Sequence, residues 1–100
     1  MVYASGVVHD RYIWDEHSYD TVAANGLGWQ AVQEILLYTT PRVRSHIGAL
    51  LRVAAPDRDG RWIVVTCIEE QDNEYLVVSA RFLEPDEAAD AARMIEGGGA

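Results

Sequence analysis

Acid–base chemistry in this 100-residue chain would depend mainly on its histidines, and the binding of anions would depend on its arginines. Histidine can take up or deliver a proton near neutral pH, whereas arginine stays charged and can only stabilise negative charge. His17 lies beside Asp15 and Glu16, and His46 lies two residues after Arg44. These two histidines are the candidate acid–base residues.

Positive charge is concentrated in residues 40–62. This segment carries five arginines against Asp57 and Asp59, a net charge of +3, although the whole chain has a net charge of −8 and an acidic surface repels nucleic acid. If the predicted strands pair side by side, four arginines could share one face and bind phosphate or an acidic partner segment. An alternative interpretation is that they are solvated side chains on a sheet. The four are Arg42, Arg44, Arg52 and Arg61.

The spacing of residues along the sequence supports no other class of site. The acids and histidines between His9 and His17 match no familiar metal-ligand pattern, so we expect no metal. The chain has no nucleophile-elbow motif and no glycine-rich phosphate loop, and we expect no cofactor. The large aromatic side chains are expected mostly in the core rather than as platforms for stacking bases. They are Trp14, Trp29, Trp62 and Phe82.

Length and cysteine content indicate a single domain in a reducing compartment. One hundred residues suffice for one core, and a lone cysteine, Cys67, cannot form an intramolecular disulfide. No apolar run reaches the roughly 20 residues of a transmembrane helix, and the N-terminus does not resemble a secretory signal. We therefore predict a cytoplasmic protein with no membrane segment, a domain over residues 1–96 and a flexible glycine-rich tail over residues 97–100.

Helical signals dominate the first part of the chain. Asp15 occupies a helix N-cap position ahead of a helix running to about Ala24, and Asn25-Gly26 is a typical C-terminal stop. A second helix is predicted from Trp29 to Tyr38, with apolar residues at helical spacing. Two short helices joined by a tight turn make a helical hairpin.

Strand signals dominate the middle of the chain. The predicted strands form an antiparallel meander of three to four strands, and a helix beginning near Pro85 follows. Apolar residues occupy both faces of the two strongest strands, which indicates central strands covered on each side. The fold class is thus α+β. The predicted strands are 42–44, 49–55, 61–69 and 74–82, with a short edge segment at 12–14.

The order of these elements, together with three short motifs, resembles the BrnT-like family of toxins. The motifs are Trp14-Asp15 ahead of the first helix, Asn25-Gly26-Leu27 ahead of the second, and the closing strand through Arg81 with its Pro-acid helix start. The resemblance spans about residues 12–95. Departures are Asn25 where the family usually has histidine, Thr21 where a related subgroup often has a second one, and acids in a final helix that is usually basic.

This resemblance implies a RelE-like fold and a metal-independent ribonuclease that inhibits translation. It also implies a paired antitoxin of the ribbon-helix-helix type. Such an enzyme needs a base for the 2′-hydroxyl proton, an acid for the leaving oxygen and cations for the phosphorane. Arg81 is the first candidate for the cation, and His46 and His17 are candidates for the acid and base.

Two further interpretations remain open at this stage. The chain could be a catalytically inactive relative that binds an antitoxin-like or other basic partner, as its acidic C-terminal half suggests. A third interpretation is an unrelated small enzyme with the same fold, but no residue in the sequence supports it. A short exposed edge strand near Arg42 could also pair with a second copy to form a homodimer.

Overall fold

The computed structural model describes residues 10–39 and 42–97, which form three helices and a five-stranded sheet. This composition confirms the predicted α+β class. No helix within the described residues is long and apolar enough to cross a membrane. The elements in chain order are β1 (Arg11–Ile13), α1 (Glu16–Ala24), α2 (Trp29–Leu37), β2 (Val43–Ile47), β3 (Leu50–Pro56), β4 (Trp62–Gln71), β5 (Glu74–Phe82) and α3 (Pro85–Gly97).

The strand order in the sheet is β1-β5-β4-β3-β2. Strands β2 to β5 form the predicted antiparallel meander, but β1 adds a fifth strand parallel to β5. The expectation of three to four strands was therefore one strand short. Helix α3 extends to Gly97, the first residue of the predicted tail, and residues 98–100 lie outside the described part of the chain.

Helices α1 and α2 pack on one face of the sheet, here called the helix face. Asp15 caps α1 as expected, and Ser18 completes a capping box in which each residue's side chain accepts from the other's backbone N–H. Gly26, at φ +81°, then reverses the chain between the helices. The resulting core is fully buried at Val32 and Ile35 on α2 and at several residues of the sheet; the latter include Leu51, Val53, Ile63, Val65 and Cys67.

Helix α1 also closes the outer edge of β5 beyond the end of β1. The pairing of β1 stops at Leu76, and the next carbonyls along β5 need other partners. The Ser18 hydroxyl donates to the Val77 carbonyl at 2.5 Å, and the Asn25 amide donates to the Ala80 carbonyl at 2.8 Å. Helix α1 thus covers this stretch of β5, and β1 and β2 are the two edge strands of the described sheet.

The second face of the sheet, here called the open face, is covered only in part by α3. Ala91 of α3 is buried, as are Ala54 and Val64 on the sheet, whereas Ile68 is 38% exposed. The expectation that the central strands are covered on both sides is therefore wrong for half of this face, because a single helix cannot span five strands. Trp29 is also not the expected core residue: its side chain is 45% exposed at the start of α2.

Candidate functional site

Arg81, the first predicted catalytic residue, lies on the open face in an ion pair with α3. Its guanidinium donates to both carboxylate oxygens of Glu87, at 2.8 and 2.9 Å. This contact holds the pKa of Glu87 down to about 2, so that carboxylate is a poor general base or acid. The surroundings of Arg81 therefore supply a fixed charge pair and no proton carrier suited to neutral pH.

The four arginines predicted to bind RNA do not share one face. Arg42 lies ahead of β2 and donates to the Ile35 carbonyl at 3.4 Å and, more closely, to the Leu36 carbonyl at the end of α2. Its role is thus that of a cation at a helix C-terminus. Arg52 pairs in register with Ser45 and lies on the open face, near enough to Glu87 to lower its pKa.

Arg61 also lies outside the strands, so it belongs to no strand face that could bind phosphate. Its guanidinium stacks over the Phe82 ring at 4.3 Å from the centroid and lies 3.6 Å from the Asp57 carboxylate. The expectation of one basic face assumed that all four residues belong to strands in matching register. Arg42 and Arg61 lie outside the strands, and the pairing of β2 with β3 separates Arg44 from Arg52.

His17, the second predicted histidine, is exposed on the surface of α1. Its Nε2 lies 3.4 Å from the Thr21 hydroxyl, one helical turn away, and no arginine contacts it within the described residues. The position resembles that of an ordinary surface histidine. His46 is different, because it lies on β2 next to the remaining predicted arginine.

Arg44 and His46 project from β2 onto the helix face. They pair with Val53 and Leu51, which are core residues of that face, and residues opposite each other share a face. His46 is exposed, and the Arg44 side chain is 38% exposed. A proton carrier and a permanent cation are therefore side by side and accessible to solvent.

Two tyrosines and one aspartate complete what we call the tyrosine–histidine cluster, which consists of Asp10, Tyr12, Arg44, His46 and Tyr75. The Tyr75 ring stacks on His46 with centroids 6.0 Å apart, and its hydroxyl lies 3.4 Å from His46 Nε2. Tyr75 also stacks on Tyr12 at 5.8 Å, its direct neighbour in the pairing of β1 with β5. The Tyr75 ring therefore contacts both other rings of the cluster.

The cluster joins the two opposite edges of the sheet. Strands β3, β4 and β5 lie between β2 and β1, so these two edge strands would be about 19 Å apart at ordinary spacing. Arg44 on β2 nevertheless pairs at 3.0 Å with Asp10, which immediately precedes β1 at the other edge. Twist and coiling of the sheet make this approach geometrically reasonable. The helix face is consequently concave at this point.

The environment of the cluster keeps its phenols protonated. Burial, assisted by the Asp10 carboxylate and opposed by Arg44, raises the pKa of Tyr12 to about 12. Burial is also the main cause that raises the pKa of Tyr75, which is only 3% exposed. Cys67 beneath them is fully buried, and its thiol pKa is raised to about 12. The phenols can thus donate hydrogen bonds, whereas the thiol is not a nucleophile.

This geometry can transfer a proton through His46 and hold an anion against Arg44, with the Tyr12 and Tyr75 hydroxyls as nearby donors. Sequence reasoning identified Arg44 and His46 but missed Asp10, Tyr12 and Tyr75. Alternation in β5 placed Tyr75 on an apolar face, which is also the signal of a core residue. Its contact with His46 depends on the coiling of the sheet, for which the sequence carries no local sign.

A separate cleft of about 440 Å³ lies between the turn after α1 and the turn between β3 and β4. Each of its two arginines is engaged by a carboxylate: Arg58 donates to both oxygens of Glu34, and Arg61 lies near Asp57. No histidine is among the residues that line this cleft, so it lacks the proton carrier that the tyrosine–histidine cluster has.

No group of three or more histidine, cysteine, aspartate or glutamate side chains is arranged to hold a metal within residues 10–39 and 42–97; His9 lies outside them. Comparisons of the chain with protein-family models, with curated proteins and with solved structures find no match.

Proposed function

We propose that this chain is a metal-independent endoribonuclease, a BrnT-like toxin that inhibits translation, and that it acts at the tyrosine–histidine cluster. The observation that carries the proposal is the placement of His46 and Arg44 side by side on one strand face, both accessible to solvent. The resemblance of the sequence to BrnT-like toxins supplies the reaction type. The fold is compatible with a RelE-like arrangement in its α+β composition.

In the proposed reaction the RNA 2′-oxygen attacks the adjacent phosphorus while His46 accepts the 2′-hydroxyl proton. Arg44 balances the negative charge that grows on the phosphorane oxygens. The bond to the 5′-oxygen then breaks, and Tyr12 is the candidate donor of its proton, because a leaving alkoxide is more basic than a phenolate. The products are a 2′,3′-cyclic phosphate and a 5′-hydroxyl.

The remaining cluster residues have positioning roles in this proposal. Tyr75 fixes the His46 ring by stacking and through its hydroxyl 3.4 Å from Nε2, and Asp10 orients the Arg44 guanidinium. Arg81 and His17, the other two catalytic residues predicted from the sequence, lie outside the proposed centre. The predicted RNA-binding roles of Arg42, Arg52 and Arg61 are likewise not part of it.

The test is cleavage of total RNA by the purified chain in low salt with EDTA present. His46→Gln should lower the rate by a factor of about 10² or more, since a general base typically contributes 10²–10⁴. His17→Gln is the matched control and should cleave like the parent chain, as should Arg81→Ala. Intact RNA after incubation with the folded parent chain, or full activity of His46→Gln, would sink the proposal.

The second candidate is a catalytically inactive module that binds a basic protein. A net charge of −8 favours it, as does the engagement of Arg58, Arg61 and Arg81 by carboxylates. RNA left intact by a folded chain that still binds a basic partner would support this function instead.

The resemblance also supplies the proposed partner, a ribbon-helix-helix antitoxin, and an RNA-cleaving toxin would act in the cytoplasm. A homodimer through the edge strand β2 remains a proposal. Its supporting feature is that β2 lies at an edge of the described sheet with exposed residues along most of its length.

A further inference from the structure

The outer edge of strand β2 has backbone groups that are available for pairing. In the described part of the chain β2 pairs only with β3, and no backbone hydrogen bond from a helix or a turn reaches it. Its residues from Arg44 to Ile47 are exposed. An edge strand of this kind is a template for a further strand.

The sequence of β2 is symmetric in chemical character about Ser45. Val43 and Ile47 at the two ends are apolar, and Arg44 and His46 on either side of the centre are basic. In an antiparallel pair of two copies centred on Ser45, Val43 lies opposite Ile47 of the second copy and Arg44 lies opposite its His46. Apolar residues would thus meet on one face and basic residues on the other, so β2 is complementary to itself.

We propose that a second copy of this chain pairs with β2 in this register, and that its Arg44 completes the proposed catalytic site. The inference rests on the proposed function, because it names the group that the second copy brings to His46. Residues opposite each other in an antiparallel pair have Cβ atoms about 4.5–5.5 Å apart, whereas residues two apart along a strand are separated by about 6.8 Å. Each His46 would therefore be closer to Arg44 of the second copy than to Arg44 of its own strand.

Symmetry and charge select this register. A two-fold axis perpendicular to the sheet keeps the helix faces of both copies on the same side, so the axis must lie level with a residue and not between two residues. An axis level with Arg44 would place two guanidinium groups directly opposite each other, which is destabilising. An axis level with Arg44 or His46 would also pair only three residues of β2, whereas an axis level with Ser45 pairs all five.

The open face of the paired strands would bury apolar surface that is exposed in a single copy. Ile47 is 67% exposed, and it would lie beside Val43 of the second copy. Both residues line a groove of about 210 Å³ next to α3, together with Met94, which is 58% exposed. Two such grooves would adjoin at the two-fold axis, and the burial of their apolar side chains would stabilise the pair.

The charge of the chain makes the expected dimer weak. A net charge of −8 repels a second copy at long range, but β2 itself contains no acid. Salt at physiological ionic strength screens exposed charges that are more than about 8 Å apart. The five residues of β2 are also fewer than the roughly 20–30 residues a side of a standard interface. We therefore expect a dimer whose population rises with protein concentration and with added salt.

Cross-linking at the two-fold axis tests the pairing without reference to activity. Ser45→Cys would place two thiols opposite each other, at a Cβ separation close to that of a disulfide. Cys67 is fully buried and would not compete. Under mild oxidation Ser45→Cys should form a covalent dimer at least about tenfold faster than Gln71→Cys, the matched variant of an exposed neutral residue at the end of β4. Equal rates for the two variants would overturn the pairing.

A charge substitution in β2 tests the same contact by light scattering during size-exclusion chromatography. Ile47→Lys should be monomeric at concentrations at which the parent chain dimerises, because it removes the apolar contact with Val43 of the second copy. Leu37→Lys changes the net charge equally at an exposed residue of α2 and should dimerise like the parent. Both residues are exposed, so the fold tolerates either change. A parent chain that stays monomeric, or equal dimerisation of both variants, would contradict the proposed interface.

A mixture of two inactive variants tests the shared site. His46→Gln lacks the base and Arg44→Gln lacks the cation, so neither should cleave RNA alone. In a mixed dimer His46 of one chain lies opposite Arg44 of the other, which restores one site. At about 0.15 M salt an equimolar mixture should recover about a quarter of the parent rate, since half of the dimers are mixed and each holds one of two sites. A rate no higher than the sum of the separate variants would overturn the inference.

The inference and the proposed function fail separately. Cleavage of RNA by a monomer, at a rate per chain that does not depend on protein concentration, would support the proposed function and overturn the inference. A dimer that cross-links through Ser45→Cys but leaves RNA intact would refute the proposed function and the shared catalytic site, and only the strand pairing would stand.

Discussion

Replacement of Ser18 by alanine should destabilise the fold even though it improves local helix propensity. Ser18 is fully buried, and its hydroxyl donates to the Val77 carbonyl at 2.5 Å and accepts from the Asp15 N–H at 3.1 Å. Alanine favours an α-helix over serine by about 0.5 kcal/mol. If α1 were held by propensity alone, Ser18→Ala would therefore be slightly stabilising.

The hydrogen bond from Ser18 to the Val77 carbonyl reverses the expected sign of this change in stability. Removing the hydroxyl leaves the Val77 carbonyl at the edge of β5 without its donor, and an unsatisfied buried group costs about 1–3 kcal/mol. Loss of the capping-box bond to the Asp15 N–H adds to this cost. After the gain in propensity the net loss is about 2 kcal/mol, which corresponds to a fall in Tm of about 8–16 °C for a domain of this size.

Urea unfolding followed by far-UV circular dichroism measures this difference. Thr21→Ala is the matched control, because it removes a hydroxyl from the same helix whose described side-chain contact is only the exposed His17. We expect it to change the free energy of unfolding by less than about 0.5 kcal/mol. If Ser18→Ala were as stable as Thr21→Ala, the conclusion that α1 is anchored to the edge of β5 would be refuted.

Three shorter predictions concern ionisable groups. The lowered pKa of Glu87 contributes stability above its usual value of 4.5 that is lost as the pH falls toward about 2, so Glu87→Gln should flatten the acid dependence of unfolding in that range; an unchanged slope would count against the ion pair. The buried Cys67 thiol, with its pKa near 12, should resist alkylation at mildly alkaline pH until urea unfolds the chain, whereas immediate stoichiometric labelling of the native protein would contradict its burial. Arg44→Gln should make the salt dependence of binding to a short single-stranded RNA shallower by about 0.7 in slope, because one phosphate contact is lost; identical slopes for parent and variant would show that Arg44 does not contact phosphate.

Local signals predicted the elements well. Asp15 and the Asn25-Gly26 pair mark the two ends of α1 as expected. The strand predicted over 74–82 is observed at the same residues. These features arise from capping geometry and from strand periodicity, which act over a few residues. The short edge segment expected over 12–14 is observed as β1 at Arg11–Ile13, but its parallel pairing with β5 was not predicted, because three residues carry no signal of their partner strand.

The grouping of functional residues was harder to predict because it depends on register. Arg44 and Arg52 are both in strands, but the pairing of β2 with β3 sends their side chains to opposite faces. The family resemblance is the main reason that Arg81 is the first candidate cation, but its contact is with Glu87 in the first turn of α3.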